Sequence, residues 1–150
     1  MYNVSYLNVA SGMPNNFADD IFQDSFGFMW ISTHGGGLVR YDGYNFVNFG
    51  LGTQRIGLRS NSCRSVYEDH FKRLWIAFEE GPQVLDLTTL QPVEPPCENE
   101  QVRNLLGQTF KERCVRMYCD SKGNLWMVIH NRLTRIGFNE KGEVNSVLST

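Results

Sequence analysis

Three tryptophans, Trp30, Trp75 and Trp126, constrain this chain most, because each has an aspartate six residues before it: Asp24, Asp69 and Asp120. Seven aspartates scattered through 150 residues would do this by chance roughly once in ten thousand, so the pattern is read as an internal repeat. The flanks agree. Nine residues before each tryptophan stands Ile21, Val66 or Met117, followed by an aromatic, Phe22, Tyr67 or Tyr118. Apolar residues flank the tryptophans, Met29 and Ile31, Leu74 and Ile76, Leu125 and Met127.

The tryptophans are 45 and 51 residues apart, a spacing that suits propeller blades as well as some helical repeats, and composition decides between them. The chain is 13% aromatic with 14 glycines, and FMWIST, RLWIAF and NLWMVI are short apolar runs bounded by turn residues. Such segments predict strands buried on both faces. The expected fold is therefore all-β, with about three propeller blades of four antiparallel strands forming an incomplete arc of a larger ring. Blade 1 is expected over about 11–50, blade 2 over 56–95 and blade 3 over 107–148, with 1–10 as an outer strand that closes the ring's last blade.

In the first unit the strands are expected at about Ala18 to Gln23, Phe28 to Thr33, Gly37 to Tyr41 and Phe46 to Phe49. Between the first two, DSFG and DSKG read as turns in which the aspartate bonds to backbone amides and Gly27 or Gly123 takes positive φ. The second unit has Lys72 at that place, which either costs about 1 kcal/mol if the left-handed geometry is kept or marks a modified turn in the second blade. Asp24, Gly27, Trp30, Asp69, Trp75, Asp120, Gly123 and Trp126 thus form the structural core of the repeat, the tryptophans packing between blades. The Pro-containing stretch from Gln91 to Glu100 reads as an outer strand followed by a surface loop.

Lysines and arginines number 14 against 16 acidic residues, and the two signs are interspersed. The basic residues Arg103, Lys111, Arg113 and Arg116 sit among Glu98, Glu100 and Glu112 without a shared helical register, and read as solvated surface. No basic field invites nucleic acid. No apolar run reaches the length of a membrane span, so no direct membrane contact is expected. Cys63, Cys97, Cys114 and Cys119 have neither C-x-x-C spacing nor a nearby histidine pair, so no metal and no cofactor are expected. Cys63 and Cys114 align with Ala18 and read as small core residues.

The stretch GMPNNFADDIFQDSFGFMWISTHGGGLVRYDGYNF, Gly12 to Phe46, resembles the two-component regulator propeller repeat. That pattern runs from a G-L-P-S-N turn through G-x-L-W-I-G-T to G-L-x-R-Y-D-G. Gly57 to Asp86 is a clear second copy, and Cys114 to Ile136 a third that departs at its leading turn and final aspartate. The resemblance implies a non-catalytic, periplasmic sensor segment of a hybrid two-component regulator. It would bind an oligosaccharide and signal to a histidine kinase elsewhere in the full protein, and its partners would be further blades or another copy of itself.

Propeller ligands commonly use loops at one end of the ring, where loops from every blade converge. That end is expected to present Asn15, Asn16 and Asn61 from the leading turns, with His34, Glu79 and His130, each four residues after a tryptophan. Amide, imidazole and carboxylate groups can bond sugar hydroxyls, though the same asparagines can simply stabilise turns. Two rival functions remain. One is a protein-interaction scaffold. The other is a glycosidase resembling the sialidase-like propellers, whose Asp-box turns share the Asp-x-x-Gly-x-x-Trp pattern. A glycosidase needs two converging carboxyl groups, whereas Asp24, Asp69 and Asp120 would be spread around the ring, so no catalytic residue is expected.

Overall fold

The computed structural model describes residues 1–50 and 56–150. Among the described residues, eleven strands form three antiparallel sheets in sequence order. The first contains β1 (Ala18–Gln23), β2 (Met29–Thr33), β3 (Leu38–Tyr41) and β4 (Phe46–Phe49), ordered β1-β2-β3-β4. In the second are β5 (Cys63–Glu68), β6 (Arg73–Phe78) and β7 (Gln83–Asp86). The third contains β8 (Cys114–Cys119), β9 (Leu125–Ile129), β10 (Arg132–Phe138) and β11 (Val144–Ser149), again paired in sequence order. These are propeller-type sheets, and they do not close into a ring.

Each meander is set by its first turn. In every sheet the aspartate before the turn accepts backbone amides and an indole N–H together. Asp24 takes the amides of Phe26 and Phe28 and Trp30 Nε1 at 2.7 Å. Asp69 takes those of Phe71 and Arg73 and Trp75 Nε1 at 2.8 Å, and Asp120 those of Lys122 and Asn124 and Trp126 Nε1 at 2.9 Å. One carboxylate thereby fixes both the hairpin and the rotamer of its tryptophan, which accounts for the invariant spacing of six. Gly27 and Gly123 take φ of 94° and 82° in these turns, and Lys72 adopts 60° at the same place.

Core packing runs between sheets rather than within them. Trp30 is fully buried in a cluster with Val66, Leu74, Ile76 and Leu85 of the second sheet, and Trp75 is fully buried among Met117, Leu125, Met127 and Ile136 of the third. Trp126, whose sheet has no following neighbour in this chain, is only half-buried. Cys63 and Cys114 lie wholly inside, as their alignment with Ala18 implied. Burial pushes both thiols up to about 12, and Asp19 adds to the effect at Cys63.

Two expectations are corrected. The second sheet has three strands rather than four: beyond β7, only Pro92 bridges Leu85 and the Val93 amide donates to Val84 O, because the prolines that follow cannot continue a ladder. The stretch up to Asn99 is irregular as expected, but beyond it, where no helix was expected, lies α1 (Glu100–Thr109), capped by the Asn99 side chain on the Val102 amide at 3.0 Å. Leu106 and Thr109 are buried, and Val102 and Phe110 pack beside Leu106 on the third sheet's core, so Arg103 belongs to a helix after all. At the start of the chain, residues 1–7 form no strand. A short 3-10 turn at Val9–Ser11 follows, and Tyr2, Val4 and Tyr6 are exposed.

Candidate functional site

The innermost strands β1, β5 and β8 pack against one another in succession, and each has a register shift at the same place: between Ala18 and Asp20, Cys63 and Ser65, Cys114 and Arg116. A bulge re-aims the residues beside it, and here it acts near the end of the sheets where the β2–β3 loop lies. Asp19 and Arg64, the skipped residues of the first two sheets, approach to 4.0 Å, and Arg64 also donates from Nε and Nη2 to Glu79 Oε1 at 3.0 and 2.7 Å. Arg113 Nε reaches Glu79 Oε2 at 2.5 Å, tying the second sheet to the strand leading into the third. Burial would raise the Glu79 carboxyl, but the hydrogen bonds and charges of Arg64 and Arg113 outweigh it and hold it below its ordinary value.

A second set of contacts crosses all three sheets. Ser65 Oγ donates to Asp20 Oδ2 at 2.7 Å, the Met117 amide donates to Ser65 Oγ at 3.3 Å, and Arg116 lies 3.7 Å from Asp20. Asp20, Ser65 and Arg116 each stand ten residues before a tryptophan, so one repeat position supplies an acid, a hydroxyl and a cation to the same network. Sequence reasoning missed Asp19, Asp20, Arg64, Ser65, Arg113 and Arg116. For Asp20, Ser65 and Arg116 the signal was that shared position, which differing chemistry concealed; Asp19 and Arg64 stand eleven residues before their tryptophans, and nothing in the sequence marked Arg113 as a partner of Glu79.

The residues expected at the ring's end fall into separate groups. Asn15, His34 and Asn61 come together: Asn15 Nδ2 donates to the His34 carbonyl at 2.9 Å, His34 pairs with Ser62 in an isolated bridge, and the amides of Gly35 and Gly37 donate to Asn61 O. Asn15 also receives the Phe17 amide, so it serves the loop directly. Asn16 faces the N-terminal segment and accepts the Val9 amide at 2.9 Å. Glu79 is held by its two arginines. His130 is exposed, adopts a φ of 52°, and has its Nε2 3.8 Å from Glu112, which also pairs with Arg132. This end therefore offers imidazole, amide and ion-paired groups over a fixed backbone. Asp24, Asp69 and Asp120 lie in the turns between the first two strands of their sheets and are occupied by amides and indoles.

Among the described residues, no group of three or more His, Cys, Asp or Glu side chains could hold a metal ion, and no helix is long and apolar enough to cross a membrane.

Residues 12–35 match the family model described as two component regulator propeller, so the chain carries a repeat of that family where the GMPNN and MWIST motifs led us to expect one. Among solved structures, the extracellular domain of one hybrid two-component system from B. thetaiotaomicron is similar with a TM-score of 0.68 at 19% identity, covering 95% of this chain and 20% of that one. The extracellular domain of a second such system from B. thetaiotaomicron gives 0.56 at 19% identity, covering 97% and 27%. Virginiamycin B lyase from Staphylococcus aureus gives 0.55 at 12% identity, covering 89% and 40%. At these identities the likeness establishes the fold alone, which is shared by extracellular domains of two-component systems and a lyase alike. This chain spans about a fifth to a quarter of the length of those two extracellular domains. A comparison with curated proteins finds no match.

Proposed function

We propose that this chain is part of the extracytoplasmic sensor propeller of a hybrid two-component regulator, located in the periplasm, and that it has no catalytic role of its own. The observation that carries the reading is the two component regulator propeller repeat at residues 12–35, seated in the first of three sheets built to one plan. Further blades, from the same polypeptide or from another copy, complete the ring, and residues 1–7, which pair with no strand among the described residues, supply an outer strand to its last blade. A histidine kinase elsewhere in the full protein receives the signal.

The ligand is an oligosaccharide bound at the end that carries Asn15, Asn16, His34, Asn61, Glu79 and His130. Support comes from the chemistry: this end carries amide and imidazole groups together with a carboxylate that is paired with two arginines, which suits hydroxyl-rich ligands. The conserved geometry of the three turn aspartates argues against a glycosidase, because each is consumed by its own tryptophan. The test is calorimetric titration of the complete sensor region with a panel of plant and host oligosaccharides. A sugar that binds the parent and is weakened about tenfold or more by His34→Ala or Glu79→Gln supports the reading. A stoichiometric protein partner with no response to any sugar would favour the scaffold function instead.

A further inference from the structure

The stretch that breaks the repeat builds a cavity of about 980 Å³ between α1 and the second sheet. Its walls include Val84, Val93, Pro95 and Pro96, and α1 with its C-cap contributes Arg103, Leu106, Gly107 and Phe110. Those four are spaced i, i+3, i+4, i+7, so one face of the helix's C-terminal part lines the cavity. The volume is within the range of small-molecule sites.

Gly107 is the informative residue. A glycine inside a helix costs about 1 kcal/mol relative to alanine, and close packing usually explains it. Here a Cβ at Gly107 would meet nothing within 4 Å, so no neighbour requires the glycine. Its effect is to leave the middle of the cavity wall bare.

Three cations, Arg59, Arg103 and Lys111, line the same cavity, with Glu80 and Glu94. Arg59 Nη1 donates to the carbonyls of Pro82 and Phe110 at 3.0 and 2.9 Å. Arg103 donates to Cys97 O from Nε and Nη2 at 3.0 and 2.8 Å, and to Glu98 O. Both guanidinium groups are thus positioned by neutral carbonyls, and among the described residues none of the three cations forms an ion pair. Arg59 and Arg103, already ordered by these carbonyls, can meet an anion without the full entropy cost of ordering long side chains.

We propose that this cavity is a binding site for a small organic anion that carries an apolar face, its charged group met by Arg59, Arg103 and Lys111 and its apolar part lying over Gly107 and Leu106. The site is formed by the second sheet and the connection that leads from it to the third. It is separate from the oligosaccharide reading and stands or falls independently of it.

Cys97 also lines the cavity and is half-buried, whereas Cys63, Cys114 and Cys119 are buried, so alkylation of the folded chain reports on Cys97. The probe is naphthalene-2-sulfonate, with uncharged naphthalene-2-methanol as control, and the readouts are N-ethylmaleimide modification of Cys97 by mass spectrometry and direct calorimetric titration. At ten times its Kd the sulfonate should slow Cys97 modification about tenfold, while the alcohol at that concentration slows it less than about twofold. Gly107→Leu keeps a good helix former and fills the bare wall, so it should abolish sulfonate binding with an unchanged circular dichroism spectrum. Arg103→Gln combined with Lys111→Gln should weaken the sulfonate about tenfold or more and leave the alcohol unaffected. The proposal is overturned by no protection from the sulfonate, by equal protection from the alcohol, or by undiminished sulfonate binding in either variant.

Discussion

Replacing Trp75 by alanine tests whether the sheets are held together at the tryptophans. The Trp75 side chain is fully buried, its ring lies 5.8 Å from Phe110 and 6.1 Å from Phe138, and its indole N–H is bound to Asp69. Truncating a buried aromatic of this size costs about 3–5 kcal/mol, from lost transfer energy and the cavity left behind. Asp69 would still receive Arg73 Nε at 2.7 Å and the two turn amides, so the carboxylate is not orphaned and the loss should not exceed that range. Trp126 occupies the same repeat position but is half-buried, and Trp126→Ala should cost about 1.5–3 kcal/mol. The assay is urea unfolding of the 150-residue chain followed by far-ultraviolet circular dichroism. With a slope of about 2 kcal/mol per molar, Trp75→Ala should lower the midpoint by about 2 M and Trp126→Ala by about half as much. Equal losses at both sites, or a Trp75→Ala loss under about 1 kcal/mol, would refute packing between sheets as the source of stability.

Other outcomes follow from the backbone and the charges. Gly81→Ala should destabilise by more than about 3 kcal/mol, because a Cβ there would sit 2.0 Å from Phe110 O and φ is +114°; Gly27→Ala, with open space around it, should cost only about 1 kcal/mol, both read by thermal unfolding. Lys72→Gly should change stability by less than about 1 kcal/mol, since relief of the left-handed backbone offsets loss of an exposed contact to Ser25 and Glu68. The hydrogen bond from Trp126, assisted by Asn124 and the turn amides, outweighs burial and holds Asp120 at about 2, and Glu79 is also held low. Carboxyls depressed in the fold stabilise it above the ordinary carboxylate range and lose that contribution on acidification. Stability should therefore fall as pH drops from about 4 toward 2, and Asp120→Asn should flatten that limb in pH-resolved melting.

The first sheet was legible almost to the residue, because alternating turn residues and aromatic strands follow one template and the fold repeats it: β1 and β4 coincide with expectation, and β2 and β3 begin one residue later. The repeat places Lys72 where Gly27 and Gly123 stand but left open whether the turn keeps its left-handed geometry, and the structure keeps it. What failed was the non-repeating part. The template demanded a fourth strand after β7 and a turn near Gln108, and it concealed α1, although Asn99 before Glu100 and apolar residues at Val102, Leu106 and Phe110 carry a capped amphipathic pattern. At the candidate site, the residue types after each tryptophan could be read directly. Their partners could not: Arg64, Arg113 and Asp19 reach Glu79 and one another through bulges and loops, and a one-residue register shift leaves no mark in composition.

The central claim is that this propeller senses a sugar rather than transforming it. The most direct measurement incubates the complete sensor region with each oligosaccharide that it binds, titrating affinity by calorimetry and analysing the recovered sugar by chromatography. The account predicts saturable binding with the sugar recovered intact at every incubation time. Shortened or eliminated products that accumulate in proportion to protein would contradict it, as would the absence of saturable binding across the panel.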